Sequence, residues 1–473
     1  MKNNNLINKI YKVSALFASL TVILFNSFSV YAETDAEAAS AARKVLPIQS
    51  NEIQGWPEGP QIAAEAAILM DVNTGTILYE KNIHEELYPA STTKIMTCLL
   101  AVENSNLDDK VDFSANAIHS VPVDGSKIGM DVGEYLTLEE SLYGIMVGSA
   151  NEVSNAVAEH VSGSIDSFVN LMNEKAKSLG CTNTHFANAN GLQSPDHYTS
   201  AYDLALISKA FFSNELLCRV GNTPRYHFSP SAGQPDDFYL NNKHKLITGE
   251  IPYEGIVGGK TGYTDLARET LVTCAEKNGM RLICVVFMEE SPYQFTDTVT
   301  LFDYGFNNFK SVNVKSEETG YIPNDNAFFS SKDNIFYTQS SFLEFAKNDY
   351  VILPVTASLS DAVSTVSYDD NTGSTGVIST INYSFNGVPI GSGHILISKN
   401  TYVTPEDVNN SSSKMIYINI KLILAIISIM GGSVIVFIYL SSLIGAFSSI
   451  SKQDRKRLNR RKKEAKKRSG PRF

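Results

Sequence analysis

Ser91, Thr92, Thr93 and Lys94 set a hydroxyl and an amine three residues apart. On a helix such positions share a face, with Cβ atoms roughly 5–6 Å apart, so the Lys94 amine can reach the Ser91 hydroxyl. A serine hydroxyl is a poor nucleophile until a base takes its proton. Lysine can be that base only when neutral, and burial or a second nearby cation pushes it that way. Lys260 can supply the cation. It opens the run Lys260-Thr261-Gly262, and Ser149-Ala150-Asn151 lies between the two lysines in the chain. Ser149 can pass a proton between Lys94, Lys260 and a leaving amine. The Asn151 carboxamide has donor and acceptor in one planar group, suited to a substrate amide. Lys260 and the Thr261 hydroxyl can bind a carboxylate, and side-chain-free Gly262 lets an extended peptide pair with this strand edge. Pro89-Ala90 fits a helix start, which makes the Ser91 backbone N–H an oxyanion donor. This is acyl transfer through a serine, and it needs no cofactor. The eight histidines form no His-x-x-x-His or similar ligand pair, so no metal is expected.

Spacing alone would decide little. Ser411–Lys414 and Ser449–Lys452 repeat the Ser-x-x-Lys interval where no chemistry is expected. Only Ser91–Lys94 is followed by Ser-x-Asn and then Lys-Thr-Gly. That ordered set marks serine acyl-enzymes acting on penicillin-like or D-alanyl-D-alanine substrates.

The surrounding pattern says what must position these groups. Ala66 to Asp71 and Thr76 to Glu80 read as strands around an Asn73-Thr74-Gly75 turn. From about Pro89 to Phe212 apolar residues recur at three- and four-residue spacing, as at Leu138, Leu142, Ile145 and Met146, which predicts helices. Strands return with Ile256-Val257, Thr270 to Cys274 and Arg281 to Met288, the last two joined at Asn278-Gly279, and Tyr293 to Phe309 reads as a helix. Strands at both ends of a helical middle imply one antiparallel sheet built from distant segments, with helices packed on it: an α/β (α+β) domain over residues 63–309. Residues 310–398 alternate short Val/Ile/Tyr/Phe runs with Asn, Asp, Gly and Ser clusters, as in a small all-β, sandwich-like domain. Residues 33–62 are a lead-in and 399–421 a polar linker.

The ends place the body outside a membrane. Lys2, Lys9 and Lys12, the apolar run from Val13 to Val30 and Val30-Tyr31-Ala32 predict a signal peptide over 1–32. Leu422 to Phe447 carries no charge and is long enough to span a bilayer as a transmembrane helix. The tail after it, 448–473, holds 12 basic and 2 acidic residues, so by the positive-inside rule it is cytoplasmic. Setting aside that tail and the three N-terminal lysines, totals of 39 basic and 50 acidic residues leave 24 and 48 for the body. An acidic exported body argues against nucleic acid as a partner. Five cysteines exclude a fully paired disulfide framework. Cys274 and Cys284 flank the Asn278-Gly279 turn: a two-residue turn sends them to opposite faces, a three-residue loop sets them face to face, and free buried thiols are the preferred reading.

Tyr88-Pro89-Ala90-Ser91-Thr92-Thr93-Lys94-Ile95-Met96-Thr97, Gly148-Ser149-Ala150-Asn151 and Gly259-Lys260-Thr261-Gly262-Tyr263-Thr264 closely resemble the low-molecular-mass penicillin-binding proteins that are serine-type D-alanyl-D-alanine carboxypeptidases. Asn190-Gly191-Leu192 and His197 to Ala205 add to the likeness. The resemblance covers roughly Ala63 to Phe309 well and the β-rich segment more loosely. It implies a penicillin-recognising, transpeptidase-like fold and removal of the terminal D-alanine from peptidoglycan stem peptides. By position it implies that Ser91 is acylated, Lys94 is its base, and Ser149 and Asn151 line the cleft. Lys260 and Thr261 would hold the terminal carboxylate, the Tyr263 N–H would be the second oxyanion donor, and β-lactam antibiotics would be covalent inhibitors. Two departures stand out: Arg268 follows Ala267 where the family usually has glycine, and Tyr202 stands where arginine is common. Arg268 could place another cation near the third motif. Three other readings share the acylation site. A class A β-lactamase needs a glutamate-bearing loop that His185 to Ser194 does not offer. A DD-endopeptidase would act on cross-linked peptides with the same residues. A membrane-bound β-lactam sensor would need more cytoplasmic chain than this short tail.

Overall fold

The computed structural model describes residues 36–319, 343–368 and 376–397, with Lys456, Arg457 and Asn459. The chain separates into two units, Met1–Ser398 and Lys399–Phe473, and the first holds the main sheet, the β-rich segment and all three motifs. The signal peptide expected over 1–32 and the membrane span expected over 422–447 lie outside the described residues. Among the described residues no helix is long and apolar enough to cross a membrane.

Strands β1 (Ala66–Asp71) and β2 (Ile77–Lys81) form the expected hairpin. Its turn is fixed by Asp71, whose Oδ1 accepts from the backbone N–H of Asn73 and from both N–H and Oγ1–H of Thr74, at 2.8 to 3.1 Å. The helical middle contains α1 (Lys94–Asn104), α2 (Leu138–Met146), α3 (Asn151–Ser162) and α4 (Ala201–Phe212). Two small hairpins interrupt or follow it without a periodic signal: β3 (Lys110–Asp112) with β4 (Tyr135–Thr137), and β5 (Arg225–Phe228) with β6 (Phe238–Asn241). Then come β7 (Ile256–Thr264), β8 (Arg268–Lys277), β9 (Met280–Glu289) and α5 (Tyr293–Asn308).

The main sheet runs β2-β1-β9-β8-β7, every pair antiparallel. Its first and last segments thus meet around the helices, as expected. Asn278 and Gly279 both have positive φ, 55° and 76°, the conformation that a tight two-residue hairpin turn demands. Lys277 pairs with Met280 across it, and further along Cys274 opposes Ile283 while Thr273 opposes Cys284. Side chains alternate faces along a strand, so the two thiols point to opposite sides of the sheet. All five cysteines are free, and Cys98, Cys274 and Cys284 are buried.

Each face of the sheet has its own core. On one side Ile68, Met70 and Val285 pack with Leu99 of α1, Val153 of α3 and Phe211 of α4. On the other, Leu69, Leu282 and Val286 pack with Leu301 and Phe302 of α5. The β-rich segment is one antiparallel sheet among the described residues, not two facing ones. Its order is β10 (Phe309–Asn313), β12 (Tyr350–Pro354), β15 (Val388–Ile397), β14 (Val377–Phe385) and β13 (Val363–Tyr368), with β11 (Leu343–Phe345) also on β15. A sandwich supplies its own second layer. Here Val351, Leu353, Ile381 and Tyr383 instead join the core behind the main sheet. Trp56 marks the junction: its ring lies 5.0 Å from Phe309 and 6.3 Å from Phe385, and its indole N–H donates to Leu78 O at 2.9 Å.

Candidate active site

Ser91 does not sit on the α-helix that the spacing suggests. Ala90–Thr93 is a turn of 3-10 helix, and α1 begins only at Lys94. In a 3-10 turn residues three apart eclipse, which brings Lys94 over Ser91 more directly than an α-helix would. The turn is strained at its start, where Ala90 has φ 49°. Side chains hold it there. Thr92 and Thr270 donate to Pro89 O at 2.7 and 3.0 Å, and Thr93 donates to Ala90 O at 2.8 Å. Behind Thr93, His197 Nε2 lies at 2.8 Å while its Nδ1 accepts from Ala187 N–H at 2.9 Å. Burial pushes His197 down to about 3, so the ring is neutral and Nε2 carries its proton. Gly191 presses on the same turn: a Cβ there would come within 1.9 Å of Ala90 O.

Lys94 is completely buried. Its Nζ lies 3.0 Å from Ser91 Oγ and 2.7 Å from Asn151 Oδ1, and it also meets Asn190 O. Burial first, and then the Lys260 ammonium, drive its pKa well below the ordinary lysine value. A neutral amine has two N–H bonds and one lone pair. Asn151 Oδ1 and Asn190 O can only accept, so they take both N–H bonds. The lone pair is left for the Ser91 hydroxyl.

The second and third motifs meet on the other side of Lys94. Ser149 has φ 58° and sits in the loop before α3, whose first residue is Asn151. That bend turns the Ser149 hydroxyl to Lys260 Nζ at 3.1 Å. Lys260 is also buried and donates to Thr261 O at 3.0 Å. Burial, and next the charge of Lys243, bring Lys260 down to about 7. Ser91, Ser149, Asn151, Thr261, Gly262 and Tyr263 line one cleft of about 740 Å³. Every residue proposed from sequence is therefore at or just beneath one site.

Gly262 has a steric reason to be glycine. A Cβ there would lie 2.3 Å from Thr270 Oγ1, 2.9 Å from Ser91 N and 3.0 Å from Pro89 O. The edge strand can touch the serine turn only because that atom is missing. Gly262→Ala therefore displaces β7 from Ser91, and displacements near 1 Å cost about 10²-fold in rate. If Ser91 is acylated as the resemblance implies, its labelling by a fluorescent penicillin should slow by that order, in a chain whose circular dichroism spectrum is unchanged.

Three contributors carried no role in the sequence reading. Asn190 supplies a backbone carbonyl, and its side chain is fixed by Asn155 Oδ1 at 2.9 Å and by the Leu192 N–H at 3.0 Å. Glu152 is buried after Asn151 and accepts from the N–H groups of Ile128 and Gly129 at 2.7 and 3.1 Å. This ties the loop bearing Asp124, Gly125 and Ser126, one wall of the cleft, to α3. Lys243 lines the cleft and adds positive charge beside Lys260. Asn-x-Asn-Gly is a turn signal and marks the loop of the first of these, though not its role; a lone loop lysine gives no signal. Arg268 does not line the cleft, because its guanidinium is engaged by Glu290 at 3.1 and 2.5 Å.

Comparison with known proteins agrees with this geometry. The family model for peptidase S11, D-alanyl-D-alanine carboxypeptidase, matches residues 54–291. The chain is 39% identical over 254 residues to D-alanyl-D-alanine carboxypeptidase DacF of Bacillus subtilis, spanning 52% of this chain and 63% of that protein. It is 31% identical over 256 residues to DacB2 of Mycobacterium tuberculosis, spanning 53% of this chain and 84% of the relative. Penicillin binding protein 5 from Haemophilus influenzae superposes with a TM-score of 0.57 at 26% identity, over 72% of this chain and 98% of that one. With the three motifs converged on one buried lysine and half of its length matched, the chain belongs to the D-alanyl-D-alanine carboxypeptidase family of serine peptidases, with the penicillin-recognising fold.

Proposed function

We propose that this protein removes the terminal D-alanine from peptidoglycan stem peptides through an acyl-enzyme on Ser91. The observation that carries the reading is the Lys94 amine, buried and paired with two obligate acceptors, with its lone pair free for Ser91. Ser91 Oγ attacks the carbonyl carbon of the penultimate D-alanine while Lys94 takes the hydroxyl proton. The oxyanion faces the N–H of Ser91 and of Tyr263. Ser149, whose hydroxyl lies 3.1 Å from Lys260 Nζ, gives its proton to the leaving nitrogen and is restored by the proton that Lys94 took from Ser91. Lys94 is thus neutral again as the C–N bond breaks and D-alanine departs. Water then attacks the ester, gives its proton to Lys94, and restores the serine. Asn151 holds the substrate amide. Lys260, with the Thr261 hydroxyl and Lys243 nearby, holds the terminal carboxylate. A β-lactam meets the same serine, but its leaving nitrogen stays tethered by the opened ring.

Residues lining the cleft between the second and third motifs are Asn190, Gly191, Leu192, Gln193, Lys243 and Lys245, none a carboxylate. This favours a stable penicilloyl adduct over rapid β-lactam hydrolysis. The test is direct: purified protein should release D-alanine from a peptide ending in D-Ala-D-Ala and gain one penicillin mass on Ser91. Absence of both would sink the proposal, and an adduct without release would favour a β-lactam sensor. A DD-endopeptidase would instead prefer cross-linked dimers.

The pH profile follows from the two lysines. Lys260 must be protonated to bind a carboxylate, and its pKa of about 7 means that charge is lost as pH rises through neutrality. Lys94 must be neutral, and burial first and then the Lys260 charge drive its pKa well below the ordinary lysine value, which favours that form. The value of kcat/KM for the free enzyme should therefore fall above pH about 7, mainly through a rising KM. A profile flat to pH 9 would contradict this assignment of Lys260.

We further propose that the catalytic unit works outside the cell after signal-peptide removal, held by the Leu422–Phe447 helix with the basic tail on the cytoplasmic side. The uncharged run and the dense basic segment that follows it support this.

A further inference from the structure

Arg268 opens β8 opposite Thr264 and has φ 52°. That left-handed conformation is costly for a residue with a side chain, and glycine adopts it freely. What offsets the cost is a two-pronged ion pair. Nε and Nη2 of Arg268 donate to Oε1 and Oε2 of Glu290 at 3.1 and 2.5 Å. Arg43 donates to the same Oε1 at 3.3 Å, while its Nε donates to Ala63 O at 3.1 Å. Glu290 is thus gripped from two sides, just before Ser291 on the cleft wall.

The location of this tie gives it a purpose. At the same end of the sheet the β8–β9 register slips: Glu269 opposes Glu289, but Leu271 opposes Val286, and Met288 has φ 58°. Such a bulge weakens the ladder locally. Here it does so beside Tyr263, which pairs with Glu269 and lines the cleft. Arg268 reaches Tyr263 as well, its guanidinium 5.8 Å from the ring centroid and Nη1 3.5 Å from the hydroxyl. Where backbone pairing loosens, the side-chain fork bridges β8 to the residue following β9.

We propose that Arg268 is a positioning residue for acylation: forked onto Glu290, it fixes the end of the β7–β8 hairpin so that the Tyr263 N–H meets the developing oxyanion. This rests on the reading of Ser91 as the nucleophile. Arg268 touches no substrate and acts through the backbone of Tyr263. Losing one oxyanion donor costs about 10²–10³-fold, so loosening one should cost about 10- to 100-fold.

The test uses the full chain. Arg268→Gly suits the backbone and removes the fork; Arg268→Lys keeps the charge but cannot make a bidentate pair; Glu290→Gln weakens the other half. Second-order acylation by a fluorescent penicillin should fall about 10- to 100-fold in Arg268→Gly and by an intermediate factor in Arg268→Lys. For D-alanine release the loss should fall on kcat, with KM within about twofold. The Arg268→Gly/Glu290→Gln double variant should be no slower than the worse single one, as expected of two residues acting as a unit. A merely structural role would lower thermal stability and leave kcat per folded molecule intact. Acylation by Arg268→Gly within threefold of the parent, or additive losses in the double variant, would overturn the proposal. A parent chain that penicillin does not label at all would overturn the assignment of Ser91 on which it stands.

Discussion

Ser91→Ala should form no covalent adduct with penicillin at any time or concentration, and should release D-alanine at least about 10³-fold more slowly than the parent chain. The size follows from how much converges on one oxygen. Lys94 Nζ is placed 3.0 Å from it, and in serine hydrolases the loss of the nucleophile costs about as much as losing the entire catalytic set. Stability should hardly change, because deleting one hydroxyl leaves Lys94 its two carbonyl partners. Intact mass spectrometry and an amino-acid release assay on the same preparation measure both. A labelled Ser91→Ala chain would move the nucleophile elsewhere.

Lys94→Met should look different in one informative respect. General-base catalysis contributes typically 10²–10⁴-fold, so D-alanine release should fall by about that factor or more. The Ser91 hydroxyl remains, however, and prolonged incubation with excess penicillin should still label it slowly. Methionine leaves Asn151 Oδ1 and Asn190 O without their donor, and each unsatisfied buried group costs about 1–3 kcal/mol. A thermal melt run alongside therefore separates lost folding from lost chemistry. Acylation within tenfold of the parent would show that another group takes the serine proton.

The contrast between these two variants also indicates what the sequence could reveal. Residue types announced the chemistry, because a hydroxyl and an amine, then a hydroxyl and a carboxamide, then a second amine, in that order, have few other uses. That one sheet joins distant segments was legible too: apolar strands at both ends of a helical middle have to meet, and Asn278-Gly279 named its own turn. Other things were hidden because they belong to the backbone or to distance. The Asn190 carbonyl is shared by every residue type and leaves no mark in composition. Lys243 became relevant only when folding set it near a lysine 17 positions onward. The 3-10 turn at Ser91 depends on Thr270 and Gly191, both remote in the chain, reaching Pro89 and Ala90. The second sheet looked self-sufficient because alternation shows which residues are buried, not what buries them.

That shared core changes what counts as the catalytic unit. Tyr79 and Leu282 lie on the face of the main sheet opposite the serine turn, in the same apolar cluster as Ile381 and Tyr383 of the second sheet. A chain cut at residue 309 would keep every motif yet bare Trp56, Phe309 and their neighbours to water, at roughly 1.5–3 kcal/mol for each large side chain uncovered. The second sheet is thus a foundation, covering the face of the main sheet that the serine turn leaves bare with residues far downstream of the third motif.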